Sequence, residues 1–202
     1  EIYICELKNG KGHIKEYDYY KLRFEGEYIN GLKNGIGKEY YEKDKLKFEG
    51  EYINGLRNGK GKEYYENGKL RFEGEYLYNY RTKGKLYVKN KLEFEGEFLL
   101  ESKWNGKGYD KNGNIKYELI NGNGKVKEYT LDGTLIFEGK YLNGKENGFG
   151  RFYSATNGKL MYEGEYLNGK RHGKGKEYEN EDLIFKGQYI NDERVEKKCL
   201  LF

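Results

Sequence analysis

The chain of 202 residues has no proline, two cysteines, two histidines and one tryptophan. Without proline, its turns must come from residues that accept unusual backbone angles, and 30 glycines supply them. No apolar run approaches the roughly 18 residues that a membrane-spanning helix needs, and no signal peptide is visible. The net charge of +4 comes from interleaved acidic and basic residues. We therefore expect no nucleic-acid binding, because carboxylates would lie beside the phosphates.

The composition also argues against a disordered chain. Hydrophobic residues make up 36% of the sequence and charged residues another 36%, which in a non-repetitive chain would suggest disorder. However, 23 tyrosines and 10 phenylalanines are present, and their rings recur at fixed positions. This pattern predicts a thin core built mainly of aromatic rings.

The sequence is a tandem repeat of an aromatic-Glu-Gly-Glu-aromatic segment. The first three copies centre on Gly26, Gly50 and Gly74, which are 24 residues apart. Further copies centre on Gly96, Gly139, Gly164 and Gly187, with a worn copy at 117–119. Because units of this length bury their apolar surface against their neighbours, we predict a single repeat domain over 1–202, with about eight hairpin units. Residues 1–23 would be a partial first unit, and 185–202 a degenerate last unit and cap.

Each unit has the pattern of a β-hairpin. Apolar and polar residues alternate over 46–53, residues 54–59 supply the turn, and a second strand follows through 61–65. We therefore predict an all-β fold, an elongated antiparallel β-meander of about 16 strands in a single-layer curved or twisted sheet.

Three places depart from this unit. At 78–80, Tyr-Asn-Tyr replaces the expected Asn-Gly, which predicts a turn without glycine and one residue shorter. Residues 100–104 are an insertion that contains Trp104, and 121–124 is a compressed copy. Any special location in the array is expected at these places. Val195–Phe202 is predicted to cap the last hairpin, since open sheet edges invite aggregation.

The glycine spacing resembles a known family. Gly26, Gly31, Gly35 and Gly37 have offsets of 5, 4 and 2, and the same offsets recur from Gly50, Gly139 and Gly164. From about Leu7 to Asn191 the chain resembles the MORN repeat family, including its bacterial variants. The resemblance implies an elongated, curved β-meander that serves as a scaffold, dimerisation or lipid-proximal module without catalysis of its own.

No catalytic, metal or cofactor site is predicted. His13 and His172 fall far apart in a linear array, and neither Ser102 nor Ser154 has a histidine nearby in the spacing. The Gly-x-Gly segments lack the Ser or Thr and the helix of a phosphate-binding loop. The segment that begins at Asp110 lacks the Gly and Glu of a calcium loop.

The aromatic residues suggest a binding surface as well as a core. Consecutive strand residues point to opposite faces, so one ring of each Tyr-Tyr pair at 40–41 and 64–65 should be exposed. Exposed tyrosines suit a groove for a partner helix or peptide. The candidate partner-binding residues are Tyr40, Tyr64, Tyr78, Tyr80 and Trp104.

Two charged rows are also predicted. Cations in the hairpin turns should line one long edge of the sheet. There they would either give weak, salt-sensitive contact with an extended acidic partner or anionic lipid, or simply keep the sheet soluble. This basic turn row comprises Lys33, Arg57, Arg81, Lys103, Lys145, Lys170 and Arg171. Glutamates at one repeat position, such as Glu25 and Glu49, would form either a stripe for cations or basic partners, or cross-strand pairs with Lys38 and Lys62.

These features favour a non-enzymatic scaffold that binds a protein partner. The alternatives are a peripheral module that binds anionic lipid through the basic turn row, and a regulatory repeat region of a larger enzyme, suggested by the start at Glu1. The sequence leaves open whether two copies form a homodimer through their edges or through a cap crosslinked by Cys199. In an elongated fold Cys5 and Cys199 cannot meet, which predicts an intracellular protein, cytoplasmic or cytoskeleton-associated.

Overall fold

The computed structural model describes residues 2–130 and 132–195. Within these ranges the backbone forms eighteen β-strands and one turn of 3₁₀ helix at Glu42–Asp44. The chain divides into two compact units, Glu1–Glu101 and Ser102–Phe202, called unit 1 and unit 2 below. The single repeat domain predicted for residues 1–202 stays a prediction. Cys199 and the cap predicted beyond Val195 lie outside the described residues.

Unit 1 is a meander in which each strand pairs antiparallel with the next. Its strands are β1 (Ile2–Lys8), β2 (Lys11–Asp18), β3 (Lys21–Ile29), β4 (Leu32–Tyr40), β5 (Leu46–Ile53), β6 (Leu56–Tyr64), β7 (Leu70–Leu77), β8 (Tyr80–Val88) and β9 (Lys91–Leu99).

In unit 2, β10 pairs with β11, and β12 to β18 form a seven-stranded antiparallel sheet in sequence order. Its strands are β10 (Ser102–Tyr109), β11 (Ile115–Leu119), β12 (Gly124–Tyr129), β13 (Leu135–Leu142), β14 (Lys145–Tyr153), β15 (Leu160–Leu167), β16 (Lys170–Glu179), β17 (Asp182–Ile190) and β18 (Glu193–Arg194).

The predicted all-β class and the meander of antiparallel hairpins are confirmed, with one difference in continuity. A single bridge between Ile120 and Asn123 stands between β11 and β12, so the sheet is interrupted there. The compressed copy at 121–124 explains the interruption, because it leaves room only for the short strands β11 and β12.

The hairpin turns are shorter than the sequence suggested. Between β5 and β6 only Asn54 and Gly55 turn the chain, with φ of 51° and 85°. These positive angles define a two-residue hairpin turn of the kind that Asn-Gly favours. Gly59, with φ of 107°, lies inside β6 at a bulge and not in the turn. The prediction that the whole of 54–59 is turn is therefore wrong.

The irregular hairpin of β7 and β8 keeps a turn of normal length. Tyr78 and Asn79, with φ of 51° and 71°, occupy the positions of Asn54 and Gly55. The missing residue lies in the bulge, since Thr82 alone stands where β6 has Asn58 and Gly59. The prediction of a shorter turn is therefore corrected to a turn of equal length and a bulge that is one residue shorter.

The aromatic rows form the core, as predicted. Phe48 is fully buried and packs edge-to-face on Tyr52 and Tyr76, with ring centroids 5.7 and 5.2 Å away. The ring lies flat on the sheet over Gly50 and Gly61. A Cβ on Gly50 would come 2.8 Å from the Phe48 ring, so only glycine leaves space for it.

Candidate functional site

The strands of each unit present two chemically different faces. Along β5, Phe48 and Tyr52 point to one side and Glu49 and Glu51 to the other, since side chains alternate along a strand. We call the side of Phe24, Phe48, Phe72 and Phe94 in unit 1, and of Phe137, Tyr162 and Phe185 in unit 2, the aromatic face. The charged face is the opposite side of each sheet. It carries Glu49, Lys62, Glu73 and Lys85 in unit 1, and Glu138, Glu163 and Lys176 in unit 2.

On the aromatic face, arginines cover the rings and pair with carboxylates. Arg57 lies with Cζ 4.0 Å from the centroid of the Phe48 ring. Its guanidinium donates to both carboxylate oxygens of Glu39, from Nη2 at 2.6 Å and from Nε at 3.0 Å. The Tyr52 hydroxyl donates to the same carboxylate at 2.7 Å. This bidentate arrangement holds the cation in a layer over the core.

The next hairpin repeats the arrangement. The side chain of Arg81 is only 9% exposed, donates to Glu63 through Nη2, and lies 3.4 Å from Glu101. The Tyr76 hydroxyl donates to Glu63 at 2.9 Å. Arg57 also reaches Glu63 at 3.4 Å, so the two arginines and their carboxylates form one continuous network.

Most cations of the basic turn row therefore do not line an edge of the sheet, as the sequence had suggested, but lie over the rings of the aromatic face. Arg57 lies opposite Tyr52 in the hairpin register, and that position directs its side chain over a ring. Lys33, Arg81, Lys103 and Arg171 likewise lie over Phe24, Phe72, Tyr117 and Tyr162. Lys145 and Lys170 hold a different position, opposite the last strand residues Leu142 and Leu167, and both are exposed.

The network sets the charge state of its carboxyl groups. Burial alone would raise the pKa of Glu39, but hydrogen bonding and the charge of Arg57, with Tyr52 and Lys47, lower it below its usual value. The pKa of Glu63 is lowered in the same way, with burial opposed by Arg81, Tyr76 and Arg71. Both groups are therefore ionised at neutral pH.

Unit 2 has a carboxylate at one of the arginine positions. Glu146 lies opposite Tyr141, the position that Arg57 holds opposite Tyr52. Burial raises the pKa of Glu146, and the charges of Glu128 and Asp192 add to the increase. This hairpin of unit 2 thus brings together like charges where unit 1 pairs opposite ones.

On the charged face, glutamates and lysines alternate across neighbouring strands. Glu49 lies opposite both Lys38 and Lys62 in the register, as the pairing hypothesis requires. In unit 2 the corresponding pair Lys176 and Glu163 is 2.8 Å apart. Tyrosine hydroxyls add to the row, since Tyr64 donates to Glu49 at 2.6 Å.

The charged face of unit 1 contains a shallow groove of about 660 Å³. Its floor is the glycine backbone of five strands, and its walls are two rows of alternating Glu and Lys side chains. The floor residues are Gly50, Gly61, Gly74, Gly84 and Gly96, and the wall residues include Lys38, Glu49, Glu51, Lys60, Lys62, Glu73, Glu75, Lys83, Lys85 and Glu95. A smaller groove of about 580 Å³ lies on unit 2, between Phe149 and Gln188.

The hairpin ends beside this groove differ between the units. In unit 1 three hairpins end on an apolar pair, Ile29 with Leu32, Ile53 with Leu56 and Leu77 with Tyr80, whereas β1 and β2 end on Lys8 and Lys11. Ile53, Leu77 and Tyr80 are 50%, 49% and 49% exposed. In unit 2 the corresponding pairs, Leu142–Lys145 and Leu167–Lys170, include a lysine. The apolar border is therefore a property of unit 1.

The predicted tyrosines divide into two groups. Tyr78 and Tyr80 are exposed at the hairpin end. Tyr40 and Tyr64 lie beside the glutamate row and are half-buried, not exposed. Since Tyr41 is half-buried and Tyr65 is buried, the prediction that one ring of each Tyr-Tyr pair is exposed is wrong. The other ring of the second pair, Tyr65, is buried and its hydroxyl donates to the carbonyl of Tyr87 at 2.8 Å. Hydrogen bonds to the sheet thus keep the rings of Tyr64 and Tyr65 against it.

Trp104 lies in unit 2 and is half-buried. Its ring packs against two turn glycines, with a Cβ on Gly144 falling 3.6 Å from the ring and one on Gly122 falling 2.6 Å from it. The tryptophan is therefore part of the packing of unit 2.

Two sets of residues were missed by the sequence reasoning. Glu39 and Glu63 carry the ionic layer, and the signal for them was a glutamate that recurs directly before each Tyr-Tyr pair. Lys60 and Lys83 form a wall of the groove. Their signal was the alternation of lysine with glycine at 59–62 and 83–85.

Other kinds of site find little support in residues 2–130 and 132–195. No helix there is both long and apolar enough to cross a membrane. No group of three or more His, Cys, Asp and Glu side chains there is arranged to hold a metal ion.

Comparison with known proteins agrees with the repeat pattern. The family model of the MORN repeat matches four segments of the chain, residues 24–44, 48–69, 137–159 and 162–182. A search of curated proteins finds no match. The matched segments are the regular hairpins of both units, and they leave out the irregular copies between residues 70 and 136.

Proposed function

We propose that this chain, which contains four segments that match the MORN repeat, is a non-enzymatic scaffold that holds a protein partner on the charged face of unit 1. The observation that carries the proposal is the groove of about 660 Å³. Its glycine floor lets a partner approach the backbone closely, and its charged walls can pair with acidic and basic side chains of the partner.

The spacing of the walls suits a helical segment. Charges of one sign recur on every second strand, which corresponds to about 10 Å at the usual strand separation. In an α-helix, side chains seven residues apart lie on one face and are separated by about 10.5 Å. A partner helix with charges of both signs at this spacing would match the walls along several strands.

Apolar side chains beside the walls supply the remaining contact. Ile53, Leu77, Tyr78 and Tyr80 are exposed at the adjoining hairpin ends. Buried aromatic and aliphatic anchors contribute most of the affinity of such interfaces, whereas charges at the rim mainly set specificity and the rate of association. Of the predicted partner-binding residues, Tyr78 and Tyr80 are thus the best supported.

Binding of anionic lipid through the basic turn row has less support. Five of its seven cations lie over aromatic rings, and those that pair with carboxylates are partly neutralised. Of the seven cations in this row, Lys145 and Lys170, both in unit 2, are exposed at hairpin ends. Homodimerisation, an intracellular location and a role as the regulatory part of an enzyme stay predictions.

The test is a pull-down with charge-reversed variants of equal net charge. Lys60→Glu with Lys83→Glu changes the groove, and Lys145→Glu with Lys170→Glu is the matched control at exposed hairpin ends of unit 2. We expect the first pair to weaken binding of the recovered partner by about tenfold or more and the control to leave it unchanged. Equal effects of both pairs, or binding to anionic vesicles that only the control abolishes, would contradict the proposal.

A further inference from the structure

Six hairpin turns of the chain have an Asn-Gly step with nearly the same backbone. Their asparagines have φ between 51° and 54°, and all six are exposed. They are Asn9, Asn30, Asn54, Asn121, Asn143 and Asn168. In an Asn-Gly step the glycine amide nitrogen can attack the asparagine side chain, because glycine has no Cβ to obstruct the approach.

The six turns differ in what their glycine amide does. In four of them the glycine N–H donates to a carbonyl of the preceding hairpin. The bonds are Gly55 to Lys33 at 2.8 Å, Gly122 to Trp104 at 2.8 Å, Gly144 to Gly122 at 2.9 Å and Gly169 to Glu146 at 2.9 Å. These bonds tie each hairpin turn to the one before it.

The turn at Asn30 is bonded in another way. Here the N–H of Asn30 itself donates to the carbonyl of Gly10 at 2.8 Å, and within the described part of the chain the N–H of Gly31 has no hydrogen-bond acceptor. Gly31 is exposed, and no atom lies within 4 Å of the place where its Cβ would be. The nitrogen next to Asn30 is therefore open to water and to base.

We propose that Asn30 is a site of spontaneous deamidation in the folded protein, and that the glycine hydrogen bonds protect the equivalent position Asn54. Base removes the proton from the Gly31 amide nitrogen, which then attacks Cγ of Asn30. A C–N bond forms, the bond from Cγ to Nδ2 breaks, and Nδ2 leaves as ammonia with a proton taken from water. Water then opens the resulting succinimide at either carbonyl, which gives an aspartate or an isoaspartate.

The hydrogen bond decides the rate because the attacking nitrogen must first lose its proton. An N–H that donates to a buried carbonyl is shielded from base in the same way that it is shielded from hydrogen exchange. Gly10 shares the openness of Gly31, since its N–H also has no acceptor among the described residues. Its Cβ position, however, lies 2.9 Å from Oδ1 of Asn30, so the turn at Asn9 is more crowded.

The chain contains its own matched control. Residues 24–32 and 48–56 have the identical sequence Phe-Glu-Gly-Glu-Tyr-Ile-Asn-Gly-Leu, followed by Lys33 and Arg57 respectively. Trypsin therefore releases Asn30 and Asn54 in nearly identical peptides. Local sequence effects on the rate cancel between them, and any difference in the folded protein comes from structure.

The experiment incubates the intact protein in mildly alkaline buffer and follows both peptides by mass spectrometry. We expect Asn30 to deamidate about tenfold or more faster than Asn54, since protection by one hydrogen bond is worth about a factor of ten. In denaturant the two rates should become equal. A folded-state ratio near one, or a faster reaction at Asn54, would overturn the proposal.

Two further measurements test the proposal independently of the comparison between the two peptides. Asn30→Gln should abolish the early isoaspartate signal, because glutamine cannot form the five-membered ring, whereas Asn54→Gln should leave that signal intact. Amide hydrogen exchange should be faster at Gly31 than at Gly55. Equal exchange at the two glycines would show that the bonding difference is absent in solution and would likewise reject the proposal.

Discussion

In unit 1 the hairpin position opposite Tyr52 carries Arg57, while in unit 2 the same position opposite Tyr141 carries Glu146. Arg57 covers the Phe48 ring and pairs with two glutamates. Glu146 instead adds a carboxylate to one that is already present, Glu128. The repeat thus tolerates either charge at this position, because the aromatic rings below it are packed in both units.

The comparison also separates structural residues from recognition residues. Cations lie over rings in both units, as Arg57 and Arg171 show, but three hairpins of unit 1 end on an apolar pair, whereas two hairpins of unit 2 carry a lysine there. Where Arg-Glu pairs cover the rings of the aromatic face, the charged face on the other side of the sheet is available to a partner.

Removal of a core ring should cost most in unit 1. Phe48 is fully buried between Tyr52 and Tyr76 and under Arg57, whereas Phe185 in unit 2 is half-buried. We expect Phe48→Ala to lower the free energy of unfolding by about 3–5 kcal/mol and Phe185→Ala by roughly half as much. Denaturant unfolding of both variants measures this. Equal losses would show that the deeper burial of Phe48 adds nothing to the contribution of the ring.

The ionic layer itself is tested at Glu63. Glu63→Gln removes the charge that Arg81 and Arg57 share, and leaves two largely buried guanidinium groups without a full counter-charge. We expect a loss of about 3 kcal/mol in the free energy of unfolding. The control is Glu75→Gln, at an exposed position on the charged face, where a loss under about 0.5 kcal/mol is expected.

Unit 2 should gain stability when the unit 1 arrangement is introduced. Glu146→Arg would place a guanidinium near Glu128, which is free of an arginine partner in the described structure. We expect a gain of about 1 kcal/mol, and a smaller gain for Glu146→Gln, which only removes the repulsion. Hydrogen exchange of the β13 and β14 amides locates the effect. Destabilisation by both variants would contradict the proposed repulsion.

Acidification should have opposite effects at Glu39 and Glu63 of unit 1 and at Glu146 of unit 2. The folded pKa values of Glu39 and Glu63 are lowered, so the stability that they contribute is present above their unfolded pKa and is lost as the pH falls through the folded values. The folded pKa of Glu146 is raised, so its charged form costs stability at neutral pH. That cost disappears as the pH falls through the folded pKa towards the usual value of 4.5.

Hydrogen exchange at several pH values between neutrality and pH 4.5 checks this prediction, since the usual glutamate pKa is 4.5. The amides of β13 and β14 in wild type should gain relative protection as the pH falls, and Glu146→Gln should remove that gain. If the variant shows the same pH dependence as wild type, Glu146 is not the group responsible.

The smallest effect is expected on the charged face. Burial and the hydrogen bond to Glu49 raise the pKa of Tyr64 to about 12. Tyr64→Phe removes that bond and should lower the free energy of unfolding by about 1 kcal/mol. Tyr153, which donates to Glu138 at 2.9 Å, is the matching residue in unit 2, and Tyr153→Phe should have a similar effect. A loss at only one of them would show that the rows differ.

Much of this fold could be predicted from the sequence, because the fixed spacing of glycines and rings specifies both strand and turn. The alternation around Phe48 gave the buried face correctly, and Asn54-Gly55 gave the turn. The interruption between β11 and β12 could not be predicted, since a compressed copy can shorten either a turn or a strand. For the same reason, the sequence did not show that the residue missing from the β7–β8 hairpin is missing from the bulge and not from the turn.

The candidate site was less predictable, because side-chain direction depends on register. Arg57 and Lys145 both read as turn cations, but they differ by one position in the hairpin, and one position reverses the face of a strand. Tyr64 reads as exposed, yet its hydroxyl bonds to Glu49 across the strands. Contacts between neighbouring hairpins decide these cases, and the sequence of a single repeat does not contain them.

The most direct test of the proposed scaffold role is lysine-specific crosslinking of the native complex, followed by mass spectrometry. We predict crosslinks from the partner to Lys60, Lys62, Lys83 and Lys85, which line the groove of unit 1. Lys145 and Lys170 in unit 2, although exposed, should remain without them. Partner crosslinks confined to Lys145 and Lys170 would contradict the assignment of the charged face of unit 1 as the docking surface.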